Sequence, residues 1–160
     1  MSADTHELRF DGAVLARGFW LYVWEIGTPG GAMLYYVGRT GDSSSANAQS
    51  PFNRMGQHLG FNEHGNVLRR HLTGRGLEPE RCSFRLVAHG PIFTETDDGP
   101  GHVAYRDLTA AFEKALADAM ARAGYAVINT VACKKQLDKS AFAKVKSAFA
   151  EHFPKLADIK

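Results

Sequence analysis

The order of apolar and polar positions predicts a β-hairpin followed later by a third strand. Residues 19–26 are aromatic and β-branched, a composition typical of strands. A Gly- and Pro-rich turn follows at 27–31, and residues 33–38 predict the returning strand. Residues 82–88 alternate well enough to predict a third strand.

The register of this hairpin decides which tyrosines lie together. If a five-residue loop closes Ile26 against Ala32, Tyr22 and Tyr36 lie on the same face of the sheet, because strand side chains alternate with a period of two. A loop longer by one residue would put the two tyrosines on opposite faces.

Two short helices are predicted between the hairpin and the third strand. Ser50 is a favourable N-cap and Pro51 suits the first helical position, so a helix begins there and ends near Gly60. A second helix is expected over 66–73. We expect the first helix to bury its apolar residues, which are Phe52, Met55 and Leu59.

The most regular helical pattern runs up to Ala123, where apolar residues form one continuous stripe. Residues 94–101 are polar, contain Gly and Pro, and predict a loop before this helix. A short extended piece is expected at 125–129. Ser140 then predicts the cap of a last helix over 140–157.

These elements predict an α+β fold, because strands and helices are mixed without regular strand–helix–strand alternation. We expect a small antiparallel or mixed sheet of about three strands flanked by helices. The 160 residues fit one domain. They divide into an N-terminal extension (1–18), a core (19–132) and a basic C-terminal helix packed on it (133–160). Residues 41–50 have no periodicity and predict a mobile loop.

The net charge of +2 and the pI near 8.6 do not by themselves indicate a nucleic-acid-binding protein. The distribution is more informative, because basic blocks at 36–90 and 131–160 flank an acidic block at 91–130. Such an arrangement permits a cationic face.

Several classes of protein have little support in the sequence. Cys82 and Cys133 are isolated, which disfavours a zinc module or a disulfide framework. The first residues lack the basic and apolar regions of a secretory signal. No window approaches the roughly 18 unbroken apolar residues of a membrane span. The expected setting is therefore a reducing cytoplasm.

Five short motifs, in order along residues 19–130, carry the candidate chemistry. They are Trp20-Leu21-Tyr22, Tyr36-Val37-Gly38, Arg54 with His58 four residues later, Glu113 and Asn129. The ordered set is more specific than any member alone. On these motifs the chain resembles the GIY-YIG nuclease family, although Trp20 stands where the family has its first Gly.

The resemblance implies an endonuclease that hydrolyses DNA phosphodiester bonds with the help of Mg²⁺ or Mn²⁺. Glu113 would hold the metal, as a hard oxygen ligand suited to Mg²⁺. Arg54 would stabilise the negative charge on the phosphate. Tyr22, Tyr36 and His58 are all candidates for handling the proton of the attacking water, and the sequence leaves the choice open.

Further residues are expected to support the site or to contact DNA. Gly38 and Asn129 are candidates for support. Sequence-specific cleavage usually needs added recognition elements or dimerisation, so a homodimer is a further possibility. The candidate nucleic-acid contacts are Arg39, Thr40, Arg69, Arg70, Lys134 and Lys135, together with Lys139, Lys144 and Lys146 on the last helix.

Two other functions remain open at this point. One is a nucleic-acid-binding module that keeps the scaffold without turnover. The other is a protein-interaction domain, in which the hydroxyls of Tyr22 and Tyr36 would be buried and Arg54 would lie far from Glu113. Taken singly, each tyrosine is more typical of a core, and each charged residue of a solvated surface.

Overall fold

A computed structural model describes residues 3–42, 48–61 and 65–160. Its centre is an antiparallel three-stranded sheet in the order β2-β1-β3. The strands are β1 (Phe19–Gly27), β2 (Met33–Arg39) and β3 (Ser83–Phe93). β1 is the central strand, and β3 is longer than the predicted 82–88.

Four α-helices of the described ranges pack against this sheet, so the predicted α+β fold is confirmed. Among the described residues, no helix combines the length and apolarity needed to cross a membrane. The predicted loop at 41–50 falls largely on residues 43–47, which lie outside the described ranges. The helices are α1 (Pro51–Leu59), α2 (Val67–Thr73), α3 (Gly99–Arg122) and α4 (Lys139–Ala150).

The hairpin register pairs Tyr22 with Gly38 and Trp24 with Tyr36. Tyr36 is therefore two residues from the partner of Tyr22, and the two tyrosines lie on one face of the sheet, as predicted. The predicted partner of Ile26 is wrong by two residues, because Ile26 lies opposite Leu34 and not Ala32. A shift of two preserves the face of every side chain, so the consequence for the tyrosines is unaffected.

The two faces of the sheet bury separate apolar clusters. Leu21, Val23 and Val37 pack against α3 and α4, in a cluster with Phe112 and Phe149. The alternate positions of the strands face α1 and α2 instead. That second cluster contains Tyr22, Trp24, Ile26, Tyr36, Leu68 and Leu72.

The start of α1 agrees with the prediction, whereas the starts of α3 and α4 differ from it. α1 begins at Pro51, and the side chain of Ser50 accepts a hydrogen bond from the Asn53 amide, as expected. α3 begins at Gly99 with Asp98 as its cap, so the predicted loop at 94–101 is wrong for its last three residues.

The last helix also differs from the prediction at both ends. Asp138, and not Ser140, caps α4, because its carboxylate accepts a hydrogen bond from the Ala141 amide. The helix ends at Ala150, and a 3-10 helix over Pro154–Asp158 follows. Its buried residues Val145 and Phe149 join the cluster on the α3 side of the sheet.

The outer edge of β2 is partly covered by the extended piece at 125–129. Val127 forms a parallel bridge with Tyr35, whose amide donates to the carbonyl of Ala126 and whose carbonyl accepts from the Ile128 amide. This pairing brings Asn129 beside Val37, two residues further along β2, where the candidate site begins.

Trp20, the residue that departs from the family motif, has its own place in the sheet. It is 3% exposed, and its indole N–H donates to the carbonyl of Ala16. The ring lies so close to Gly90 of β3 that a Cβ there would come within 2.7 Å of it. A glycine on the neighbouring strand thus makes the room that Trp20 needs.

Candidate active site

A cleft of about 540 Å³ opens beside the end of β2 and α1. It receives residues from both sides of the sheet, because Glu113 comes from α3 and His58 from α1. Seven of the residues predicted from the motifs line it, and Asn129 and the remaining predicted contacts do not. The seven are Tyr22, Tyr36, Gly38, Arg39, Arg54, His58 and Glu113.

Tyr22 and His58 form a hydrogen-bonded pair at the base of the cleft. The Tyr22 hydroxyl lies 2.6 Å from His58 Nε2, and the two residues are 1% and 4% exposed. Burial raises the pKa of Tyr22, and it lowers the pKa of His58 to about 4, with help from the positive charge of Arg54. Both groups are therefore neutral at pH 7.

Gly38 determines where the Tyr22 ring lies. The two residues are cross-strand partners, and a Cβ at position 38 would come within 2.5–2.6 Å of Cε2, Cζ and the hydroxyl oxygen of Tyr22. The ring therefore lies across the bare α-carbon. The glycine of the Tyr-Val-Gly motif provides this close approach and not a special backbone angle.

The predicted burial of α1 is wrong for Phe52 and is confirmed in part for Met55 and Leu59. Phe52 is exposed, whereas Met55 and Leu59 are partly buried against the cluster that contains Tyr22 and Tyr36, and His58 is buried. The helix faces the aromatic rings of Tyr22 and Tyr36, and the His58 ring packs against them at centroid distances of 5.6 and 5.1 Å. Phe52 instead contacts the exposed Phe10 of the N-terminal segment, at 5.2 Å.

Tyr36 stands beside this pair and is also protonated at neutral pH. Burial raises its pKa to about 12, and the negative charge of Glu113 adds to the effect. Its ring also contacts His71 of α2, at a centroid distance of 5.7 Å. Tyr36 therefore connects the cleft with α2.

Arg54 lies within the cleft and is held by Asp42. Its Nη2 is 2.5 Å from Asp42 Oδ2, and its Nη1 donates to Gln57 Oε1 at 2.9 Å. The guanidinium also interacts with the Tyr22 hydroxyl. Sequence reasoning missed Asp42 and Gln57. The signal for Gln57 is its position three residues after Arg54, one helical turn away.

Glu113 reaches the cleft as part of an ion pair. Arg39 Nε lies 2.9 Å from Glu113 Oε2, and the two side chains are 16% and 17% exposed. Burial raises the pKa of Glu113, and the charge of Arg39 opposes that rise. Arg39, predicted as a nucleic-acid contact, therefore compensates the charge of the predicted metal ligand.

Asn129 supports the site through the backbone of β2. Its Oδ1 accepts from the Val37 amide at 3.0 Å, and its Nδ2 donates to the Val37 carbonyl at 2.7 Å. The side chain thus continues the strand pairing that Val127 begins at Tyr35. It fixes the residue immediately before Gly38.

Thr40, a predicted nucleic-acid contact, is fully buried. Its hydroxyl donates to the carbonyl of Gly18 at 2.5 Å and accepts from the Trp20 amide at 2.8 Å. These bonds hold the chain after β2 against the start of β1. The side chain is therefore structural, which corrects the prediction.

The other predicted contacts lie outside the cleft. Arg69 is engaged by the protein itself, because it donates to the Leu59 carbonyl and pairs with Glu80 at 2.7 Å. Lys135 pairs with Asp107 of α3 at 2.9 Å. Arg70 and Lys134 are exposed.

The cleft fits a hydrated Mg²⁺ or Mn²⁺ ion better than a metal enclosed by protein ligands. Among the described residues, no group of three His, Cys, Asp or Glu side chains could hold a metal. Mg²⁺ commonly keeps several waters and uses one or two carboxylates. Glu113 and Asp42 both line the cleft, and Asp42 is close enough for its charge to raise the pKa of Glu113.

The cleft also contains polar atoms that lack a partner. Within the described ranges, Arg39 Nη1, Arg54 Nε and His58 Nδ1 are buried without a hydrogen bond. Buried polar groups are normally satisfied, so unsatisfied groups at one cleft indicate a place for a polar ligand. Two of the three are guanidinium donors, which favours an anion.

No protein-family model, curated protein or solved structure matches this chain. The assignment of a function therefore depends on the chemistry of the cleft.

Proposed function

We propose that the protein is a divalent-metal-dependent endonuclease that hydrolyses phosphodiester bonds of DNA. The observation that carries the proposal is the convergence of Tyr22, Tyr36, Arg54, His58 and Glu113 in one cleft. These residues come from β1, β2, α1 and α3, so their meeting does not follow from proximity in the sequence.

The guanidinium groups supply the phosphate site. Arg54 and Arg39 each have a buried donor without a partner in the described structure, and both line the cleft. Arginine donors are suited to non-bridging phosphate oxygens, and they stabilise the charge that develops as the nucleophile adds. Asp42 holds Arg54 in place before the substrate arrives.

Tyr22 and His58 together handle the proton of the attacking water. As the water oxygen bonds to phosphorus, the water proton passes to the Tyr22 oxygen, and the Tyr22 proton passes to His58 Nε2, only 2.6 Å away. The neutral imidazole can accept it. The bond from phosphorus to the leaving oxygen breaks, and the leaving oxygen takes a proton from solvent water. When a phosphate neutralises Arg54, a cause of the low His58 pKa is removed, and His58 becomes a better base.

Glu113 is the residue that would hold the metal, with Asp42 at the same cleft. A bound Mg²⁺ or Mn²⁺ would supply positive charge for the leaving oxygen and would order water at the site. Arg39 pairs with the same carboxylate, so a metal held by Glu113 would compete with Arg39 for it.

The test is incubation of the protein with single-stranded, duplex and branched DNA, in Mg²⁺ and in EDTA. The wild type is compared with Glu113→Ala and with a matched control, Asp118→Ala, which removes an exposed carboxylate of the same helix that pairs with Lys114. We expect cleavage that requires Mg²⁺, that is lost in Glu113→Ala and that persists in Asp118→Ala. Wild-type protein that leaves every DNA intact in Mg²⁺ would overturn the proposal.

One observation favours the alternative of a binding module without turnover. Glu113 is already neutralised by Arg39, as it would be in a purely anion-binding cleft. Such a module would bind the same DNA equally in Mg²⁺ and in EDTA without cutting it. A protein-interaction domain would bury Tyr22 and Tyr36 and separate Arg54 from Glu113. The two tyrosines are indeed buried, at 1% and 8% exposed, but Arg54 and Glu113 line one cleft.

A further inference from the structure

A second depression, of about 420 Å³, lies directly beside the cleft. Val67 at the start of α2 lines both depressions, so it forms the wall between them. The second depression is lined by Val67, Arg70, His71, Gly74 and Arg75, and none of these residues is acidic. The described part of its lining therefore offers positive charge and no carboxylate.

The two arginines of this depression are held differently. Arg75 is fixed by hydrogen bonds to the carbonyls of His71 and Ile128, at 3.0 and 3.1 Å. Arg70 is exposed, and it forms no ion pair with the described residues. Glu80 pairs with Arg69 at 2.7 Å. Among the residues that the structure describes, no carboxylate forms an ion pair with Arg70 or Arg75.

His71 shows that these charges converge. Burial lowers the pKa of His71, and the positive charges of Arg75 and Arg70 lower it further. Two guanidinium groups therefore act on one imidazole, and the residues that the structure describes in the lining include no carboxylate that would relieve their mutual repulsion. An arrangement of this kind gains stability when it binds an anion.

From this geometry we propose that the depression is a second phosphate site, which takes a phosphate of the same nucleic-acid strand whose scissile phosphate lies in the cleft. The strand passes over Val67, and its backbone follows α2 toward Arg70 and Arg75. His71 follows Val67 by roughly one helical turn, and Arg75 lies in the turn that follows the end of α2 at Thr73. The inference rests on the proposed function for the occupant of the cleft, and it adds the path of the strand.

Contacts of this kind fix the strand without reading its sequence. Phosphate contacts position a nucleic acid, and each one adds a salt-dependent contribution to binding. In the proposed site, Arg70 and Arg75 lie against phosphate oxygens and no side chain is placed against a base edge. We therefore expect it to contribute equally to the binding of different DNA sequences.

The test measures binding in EDTA, so that it is independent of cleavage. The probes are a fluorescein-labelled single strand and the duplex of the same sequence, titrated at several salt concentrations. Arg70→Ala/Arg75→Gln is compared with Lys155→Ala/Lys160→Ala, which removes the same charge from two exposed positions that are not among the predicted nucleic-acid contacts. Arg70→Ala alone is included, because Arg70 is exposed and its loss leaves the fold intact; circular dichroism verifies each variant.

We expect the arginine variant to bind at least one probe more weakly than the lysine variant does. Its plot of log affinity against log salt should be shallower by about 1 for each lost phosphate contact. Equal affinities and slopes for the two double variants, or no binding of either probe by the wild type, would overturn the inference. If the wild type binds in this way and does not cleave, the second site stands and the nuclease proposal fails.

Discussion

The ring of Tyr22 lies across the α-carbon of Gly38, so that the glycine hydrogen occupies the space where any other residue would have a Cβ. This contact sets the position of the hydroxyl that meets His58 Nε2. Gly38, which has no reactive side chain, thus controls the geometry of the pair that we propose to handle the proton.

Replacing Gly38 by alanine should therefore displace Tyr22. We expect a loss of about 1–3 kcal/mol in the free energy of unfolding, as in other overpacked sites, together with a loss of cleavage. Urea denaturation and a single-turnover assay measure the two effects. Gly56→Ala in α1 is the matched control, because a Cβ there meets no atom within 4 Å and should be neutral or stabilising. A Gly38→Ala protein with wild-type stability and activity would contradict this account of Gly38.

Tyr22→Phe removes only the hydroxyl. We expect kcat to fall at least about 100-fold, a size typical of general acid–base groups, because the water loses its path to His58. The free energy of unfolding should fall by about 1–3 kcal/mol, since His58 Nε2 is left buried without its partner. Tyr35→Phe is the control, because Tyr35 lies on the opposite face, against Tyr125 and Phe153. Equal kcat values for the two variants would remove Tyr22 from the mechanism.

His58 predicts a particular dependence of stability on pH. Its pKa is about 4 in the folded protein, compared with about 6.5 in an unfolded chain, so the unfolded chain binds the proton first as the pH falls. The contribution of His58 to stability is present above pH 6.5 and is lost as the pH falls toward 4. Between pH 7 and pH 5 the loss is about 2 kcal/mol.

Urea denaturation at these two pH values measures the effect. The free energy of unfolding of His58→Asn should fall less over this interval than that of the wild type. That of the matched control His6→Asn, at an exposed position, should fall by as much as that of the wild type does. The same loss in the wild type and in His58→Asn would show that His58 is not the group responsible.

Asn129→Asp tests whether the amide side chain completes the pairing of β2. The carboxylate cannot donate to the Val37 carbonyl, and it places negative charge against that oxygen. We expect a loss of about 1–3 kcal/mol in the free energy of unfolding, and slower cleavage because Gly38 follows the affected residue. Asn53→Asp, on an exposed position in the first turn of α1, should change neither; a similar loss there would indicate a general effect of added charge.

Local signals in the sequence predicted much of the fold. Ser50 and Pro51 specify the start of α1 because capping and a fixed φ act within a few residues. Tyr22 and Tyr36 lie on the same face for any register that differs from the true one by an even number of residues. The prediction for the two tyrosines is therefore correct although the predicted partner of Ile26 is wrong by two residues. The starts of α3 and α4 were less well predicted, because Asp98 and Asp138 compete as caps with neighbouring polar residues.

The relationships within the site depend on long-range packing, which spacing does not reveal. The orientation of α1 follows from the aromatic rings that it meets and from Phe10, which contacts the Phe52 ring. The pairing of Arg39 with Glu113 joins residues 74 positions apart. Only the resemblance to a nuclease motif suggested that such distant residues belong together, and it gave no information about which charges pair.

Because β1 is the central strand, its side chains alternate between the two buried faces of the sheet, and we expect substitutions on the two faces to have different effects. Leu21 and Val23 face the cluster of α3 and α4, whereas Tyr22 and Trp24 face the side on which the cleft lies. If each residue of this strand is substituted in turn, substitutions at Leu21 and Val23 should lower the free energy of unfolding alone. Substitutions at Tyr22 and Trp24 should lower both the free energy of unfolding and the rate of cleavage. Neighbours in the sequence would then differ in their effects, while residues two apart would agree.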